Sequence, residues 1–226
     1  VTEPVVALKR AMKVKKQEKS TVNLIIAVGE TKEKVIENIK KYTVEENIKK
    51  AFELSKAKNE AQTRYLRIKG SQIRDYQKML SYIIFNNPSK KLNLEKLPKQ
   101  KYSQSELWKY GISGDLPIIL VKIKDSNDTY VVKEVLKAYE FMRTKGFETE
   151  LVIIDEEKYS YENYVMEDIE EAILNSQLSY LKNIRGGIFQ INKNEISKED
   201  MNLLQFIAGI IIDSKKGGIS HSLKDI

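Results

Sequence analysis

Gly111-Ile-Ser-Gly-Asp115 is the stretch whose residue types come nearest to a chemical device. Glycine-rich turns of this kind can cradle a phosphate on their backbone amides. Here the turn precedes the β-branched run Ile118–Ile123. Phosphate loops and dinucleotide fingerprints need their glycines between a strand and the following helix, so that helix amides face the phosphate. The order is reversed for that job. The expected structure is a tight corner in which Gly111 or Gly114 takes positive φ and Asp115 bonds nearby amides.

A second set follows the expected strands: Asp125, then Asp155-Glu156-Glu157, then Asn192. Open parallel sheets bind ligands beyond the carboxyl ends of their strands. Two acidic clusters on one rim could hold magnesium. Turn residues after strands favour the same side chains for local reasons, and no lysine–threonine partner set accompanies them. A third set is aromatic. Trp108, Tyr110 and the trio Tyr159, Tyr161 and Tyr164 could stack on pyranose faces, or could cover core edges with their polar tips in water. The expected ligand-binding residues are Trp108, Tyr110, Ser113 and Asp115. No catalytic residue, metal ligand or cofactor is expected. His221 is the sole histidine and has no partner near it in sequence, and the 32 acidic residues are too scattered to single out a glycosidase-like pair.

Bulk properties narrow the classes. The absence of cysteine removes disulfides, thiolate zinc sites and cysteine nucleophiles together. It fits a reducing compartment, so a cytoplasmic location is expected for this segment, with a parent anchored at an inner membrane as one possibility. The longest apolar run, Leu203–Ile212, is broken by Gln205 and is about half of the roughly 20 residues a span requires. No membrane contact is expected from it. The chain begins at Val1 without a secretory signal and reads as a segment of something longer. Residues 1–110 carry 25 Lys and Arg against 12 Asp and Glu, a balance of +13, whereas the remainder is −6. The basic half is mostly lysine interleaved with glutamate, and only Arg64, Arg67 and Arg74 fall in its helical stretch. Arginine is the better reader of phosphates and base edges, so a solvated surface is expected and nucleic acid is not a partner.

The elements that must position these residues follow from periodicity. Val5–Lys15 and Ser20–Val28 read as a β-hairpin. From Thr31 the period turns helical: Thr31–Tyr42, then a helix capped by Thr43 with Glu46 and running towards Ile68, then Gln72–Phe85 after Gly70 and Ser71. Residues 89–102 read as a linker. Beyond it lie strand Ile118–Ile123, helix Tyr130–Lys145, strand Glu150–Ile154, helix Tyr161–Ser176, strand Gly187–Ile191 and helix Ser197–Ile212, followed by a loose tail over Asp213–Ile226. The expected fold class is α/β: a three-layer βαβαβα module with a small parallel sheet, preceded by a β-hairpin and a helical linker. The expected divisions are 1–29, 30–102 and 103–226.

Leu107-Trp-Lys-Tyr-Gly-Ile-Ser-Gly-Asp-Leu-Pro117 resembles a segment of the bacterial cyclic β-1,2-glucan synthases. The likeness extends to Glu3–Arg10, Ala51–Leu54, Tyr76–Leu80, Ala138–Gly146, Leu151–Ile154, Arg185–Phe189 and Gly217–Leu223, and so takes in most of the chain. Those proteins combine a membrane glycosyltransferase with modules related to cellobiose phosphorylase. The resemblance implies that residues 1–29 are the remnant of a β-sandwich and that the catalytic centres lie outside this segment. No catalytic residue can be carried over to it. The chain departs from the family in being lysine-rich where relatives favour arginine.

The expected role is therefore a non-catalytic accessory module of a glucan synthase-like protein. Its partners would be neighbouring domains of the parent, with a weak β-1,2-glucan contact. The alternative is a small nucleotide- or metal-binding α/β domain that uses the rim at Asp125, Asp155 and Glu156.

Overall fold

The computed structural model describes residues 7–85, 103–157 and 164–224. The chain falls into two compact units, 1–58 and 59–226, with the boundary inside a helix.

In the first unit, α1 (Lys32–Tyr42) starts at Thr31, whose side chain accepts from the Lys34 amide at 3.3 Å. Thr43 does not cap the next helix as expected. Its hydroxyl donates back to the Lys40 carbonyl at 2.7 Å, and α2 (Glu45–Tyr65) begins two residues later. Residues 7–29 form a turn at Lys16-Gln17 but no strand, so the expected hairpin is absent. A two-stranded ribbon is marginal without a third layer to bury its apolar residues. Leu24, Ile26 and Val28 are all largely exposed.

The second unit carries the sheet. β1 (Ile118–Ile123), β2 (Glu150–Asp155), β3 (Ile188–Asn192) and β4 (Ile210–Asp213) pair in the order β3-β2-β1-β4, all parallel. One face of the sheet packs Ile119, Val121, Ile153 and Ile212 against α3 (Gly70–Ile84), α4 (Thr129–Thr144), α5 (Tyr164–Leu174) and α7 (Ile219–Ser222). The other face packs Ile118, Leu120, Val152 and Phe189 against α6 (Lys198–Ile207) and the 3-10 segment Gln104–Tyr110. Period-two alternation of apolar residues buried on both faces is what a parallel sheet between helical layers requires. The expected three-layer α/β class is the observed one.

Four local expectations differ. The helix expected over Ser197–Ile212 ends at Ile207, and Ile210–Asp213 forms the fourth strand. Ala208 turns extended, and the Gly209 amide donates to the Ile118 carbonyl at 2.7 Å, which starts the ladder with β1. A continuous apolar run fits a buried helix and a buried strand equally well by period alone. The helix expected to reach Ile68 stops at Tyr65, and Gly70 opens α3 instead of ending α2. Tyr76, Met79 and Ile83 of α3 enter the sheet's own core, so the later part of the stretch expected as linker belongs to the α/β unit. The tail also folds: Ile219 and Leu223 are buried. Residues 89–102, Tyr159 and Tyr161 lie outside the described residues. No described helix is long and apolar enough to cross a membrane.

Candidate functional site

The expected ligand residues gather at the amino-terminal pole of the sheet. Trp108 and Tyr110 lie in the 3-10 segment, which ends at Gly111 with φ 78°. Gly114 has φ 69°. These two left-handed glycines fold the chain so that successive amides point one way. The Ser113 and Gly114 amides donate to Glu150 Oε1 and Oε2 at 3.0 and 3.1 Å. Glu150 opens the central strand β2 and is fully buried. The corner thus holds an anion, and the anion is the protein's own carboxylate.

The remaining expected residues are tied in the same way. Asp115 accepts from Gln104 at 2.8 Å and from Arg185 at 3.2 Å. The Trp108 indole donates to the Ser113 carbonyl at 3.3 Å and leaves the ring 63% exposed. Tyr110 donates to Asp200 Oδ2 at 2.8 Å. Asp200 also receives Lys109 Nζ at 2.7 Å and the Ser197 hydroxyl at 2.6 Å. Burial pushes its carboxyl up, but these donors outweigh burial and hold it below the usual range. Trp108, Ser113 and Asp115 are brought together; Tyr110 turns towards α6. Tyr164 is exposed on α5.

The opposite pole behaves differently from a magnesium rim. Asp155 is 2% exposed, and burial raises its carboxyl above the ordinary range despite the Glu157 amide that donates to it. Glu156 is surrounded by lysines: Lys122 at 2.9 Å, Lys215 at 3.6 Å and Lys193 at 3.7 Å. Burial raises Glu156, and the lysines more than offset it, for a net lowering. Each strand end contributes one member, Lys122 from β1, Glu156 after β2, Lys193 after β3 and Lys215 after β4. The cluster is cationic by two charges. Among the described residues no group of three or more His, Cys, Asp or Glu could hold a metal ion. Asp125 turns inward to its own loop, accepting from the Asn127 amide at 2.9 Å.

A second glycine corner repeats the first. Gly217-Gly218 follows β4, and the Ile219 amide donates to Glu134 Oε2 at 3.0 Å. A Cβ at Gly218 would collide with that oxygen. Sequence reasoning missed Glu150, Glu134 and the three lysines. The signal for Glu150 was available: an acidic residue opening an otherwise apolar buried strand needs a partner.

No family model matches the chain. Over 222 residues the chain is 24% identical to the cyclic beta-(1,2)-glucan synthase NdvB of Rhizobium meliloti (strain 1021). The match takes in 98% of this chain and 8% of that protein. The resemblance drawn from Leu107–Pro117 and its flanking residues therefore holds along nearly the whole chain, which spans a small part of the curated relative's length.

Proposed function

We propose that the chain is a non-catalytic α/β module of a cyclic β-1,2-glucan synthase-like protein. It braces or orients neighbouring carbohydrate-active domains. The observation that supports this most is the internal use of both glycine corners. The amides that would receive a substrate anion are taken by Glu150 and Glu134. A peripheral glucan contact is assigned to the corner, with Trp108 as the stacking ring and Tyr110, Ser113 and Asp115 beside it. Flat exposed rings suit the apolar face of a pyranose.

The test has two arms. The chain alone is assayed for glucosyl transfer and for β-1,2-glucan phosphorolysis, where background rates are expected and turnover would overturn the non-catalytic reading. Titration with β-1,2-glucooligosaccharides should move the Trp108 indole resonance; an unmoved indole removes the corner contact.

A second reading has one observation in its favour. β1 and β4 meet where the strand order reverses, the place where open α/β sheets take ligands. The lysine cluster around Glu156 lies along these strand ends and would suit a phosphorylated ligand. Thermal shift with nucleotides, with and without magnesium, separates the two. A shift lost in Lys122→Ala or Asp155→Ala would favour the second.

A further inference from the structure

None of the described residues 7–58 is buried. The bare side chains include Leu24, Ile26, Val28, Phe52 and Leu54, with Ile26 at 83% and Val28 at 89% exposure. Large apolar groups left uncovered over a whole unit mark a surface that something else covers.

Residues 20–28 show what kind of surface it is. The chain runs from Glu18 to Gly29 without turn, bend or helix. Burial alternates along it: Ile25 and Ala27 are half-buried, whereas Leu24, Ile26 and Val28 are exposed. A period of two is that of a strand. Both sets of side chains are apolar, as in a strand covered on both faces. Among the described residues no amide or carbonyl of residues 20–28 has a partner within the protein. A strand-patterned run with both backbone edges open and one apolar face bare lacks the neighbours that such a pattern serves.

Three kinds of occupant can be compared. A second copy would bring like charge to like, because residues 9–19 hold six basic side chains against Glu18 alone and all are exposed. Lysines beside an open strand are a common guard against self-pairing. An anionic membrane would meet that charge, but lipid leaves backbone groups unsatisfied, and this run satisfies none of its own. The open edge of a β-sheet supplies both missing things. Its backbone pairs with the run's amides and carbonyls, and its side chains give the bare face a layer to pack on. Acidic residues along that edge would complement the basic arm.

We propose that residues 20–28 add as a strand to the open edge of an acid-flanked β-sheet in a neighbouring domain. That the domain belongs to the same polypeptide rests on the functional reading above; strand addition rests on the run itself. The pairing is the joint through which the module orients its neighbour.

Amide hydrogen exchange across residues 20–28 is followed in the intact gene product and in this chain alone. The chain alone is also measured at rising concentration and with phosphatidylglycerol vesicles. In the intact protein these amides should exchange at least about a hundredfold more slowly than in the chain alone, the mark of a paired strand. Ile26→Pro removes a donor that makes no bond in the chain alone, so the thermal midpoint of the sheet-bearing unit should hold. In the intact protein the same variant should bring the segment to within about tenfold of the chain-alone rates, because proline breaks a ladder. Carbodiimide should cross-link Lys13, Lys15 or Lys19 to a carboxylate on a β-strand of the neighbouring domain. Equal exchange in a longer gene product and in the chain alone, or cross-links to helices only, overturns the proposal and leaves the functional reading standing. Protection of the chain alone that grows with its own concentration, or that needs the vesicles, overturns it in favour of a second copy or a membrane. A gene product no longer than this chain removes the functional reading and the proposal together.

Discussion

Both carboxylate oxygens of Glu150 are held by the amides of Ser113 and Gly114, at 3.0 and 3.1 Å, inside the protein. This one contact joins the conspicuous glycine turn to the first residue of the central strand. It fixes where β1 and β2 start relative to each other, since Ile118 is paired with Glu150 in the parallel register. Glu150→Ala should destabilise the chain by about 3 kcal/mol, because it deletes two bonds to a charged acceptor and leaves two amides unpartnered. Glu150→Gln should cost about half of that, since its amide nitrogen meets one donor. Chemical denaturation checks both; losses under about 1 kcal/mol would mean the corner is held by something else.

Gly114→Ala should also destabilise, by about 1–2 kcal/mol. Its φ of 69° disfavours an L side chain, and a Cβ would lie 2.9 Å from Gln104 Cγ. Gly70→Ala is the control, for its Cβ would meet nothing within 4 Å inside a helix. It should be neutral or stabilising by up to about 1 kcal/mol.

Two buried tyrosines should respond with opposite signs. The Tyr76 hydroxyl is buried with no hydrogen-bond partner, while its ring packs beside Phe141 at 5.7 Å between centroids. Tyr76→Phe removes an unsatisfied polar atom and should be neutral or stabilising by about 1 kcal/mol. The Tyr139 hydroxyl donates to the Gly186 carbonyl at 2.6 Å, and Arg143 donates to that carbonyl as well. Tyr139→Phe should cost about 1–2 kcal/mol. Thermal midpoints of the two variants measured side by side check the sign of each.

Acid should act through Asp200 and Glu156. Both carboxyls are held below their ordinary values in the folded chain, by Lys109, Ser197 and Tyr110 in one case and by Lys122, Lys193 and Lys215 in the other. A depressed folded value contributes stability above the unfolded value, about 4, which is lost as pH falls through the folded value. The thermal midpoint should hold from neutral pH to about pH 5 and then drop. The drop should be shallower in Asp200→Asn, which is less stable at neutral pH to begin with. Asp155 runs the other way. Burial raises its carboxyl, so it opposes folding once ionised, and Asp155→Asn should raise the neutral-pH midpoint. An unchanged or lowered midpoint in Asp155→Asn would contradict the burial argument.

The elements most legible in the sequence were those whose period admitted one reading. Ile118–Ile123 alternates between two buried layers and is bounded by Pro117 and a polar loop, and it forms the strand expected. The α/β class followed from this strand and its two successors. The fourth strand was hidden because Leu203–Ile212 is apolar apart from Gln205, and only Gly209 marks where helix gives way to strand. The hairpin was misjudged for a different reason. Its apolar alternation is real, but alternation needs a surface to pack on, and Leu24, Ile26 and Val28 face solvent. At the glycine corner the turn was legible while its occupant was not. Glu150 lies 36 residues from Gly114, and no local pattern carries a pairing of that range.

We propose that this chain positions carbohydrate chemistry without performing it. The most direct measurement follows glucose release and transfer by the purified chain. The substrates are β-1,2-glucooligosaccharides with inorganic phosphate and, separately, nucleotide-activated glucose. The rate expected in both is that of the protein-free control. A rate above that control which tracks the concentration of folded chain would contradict it.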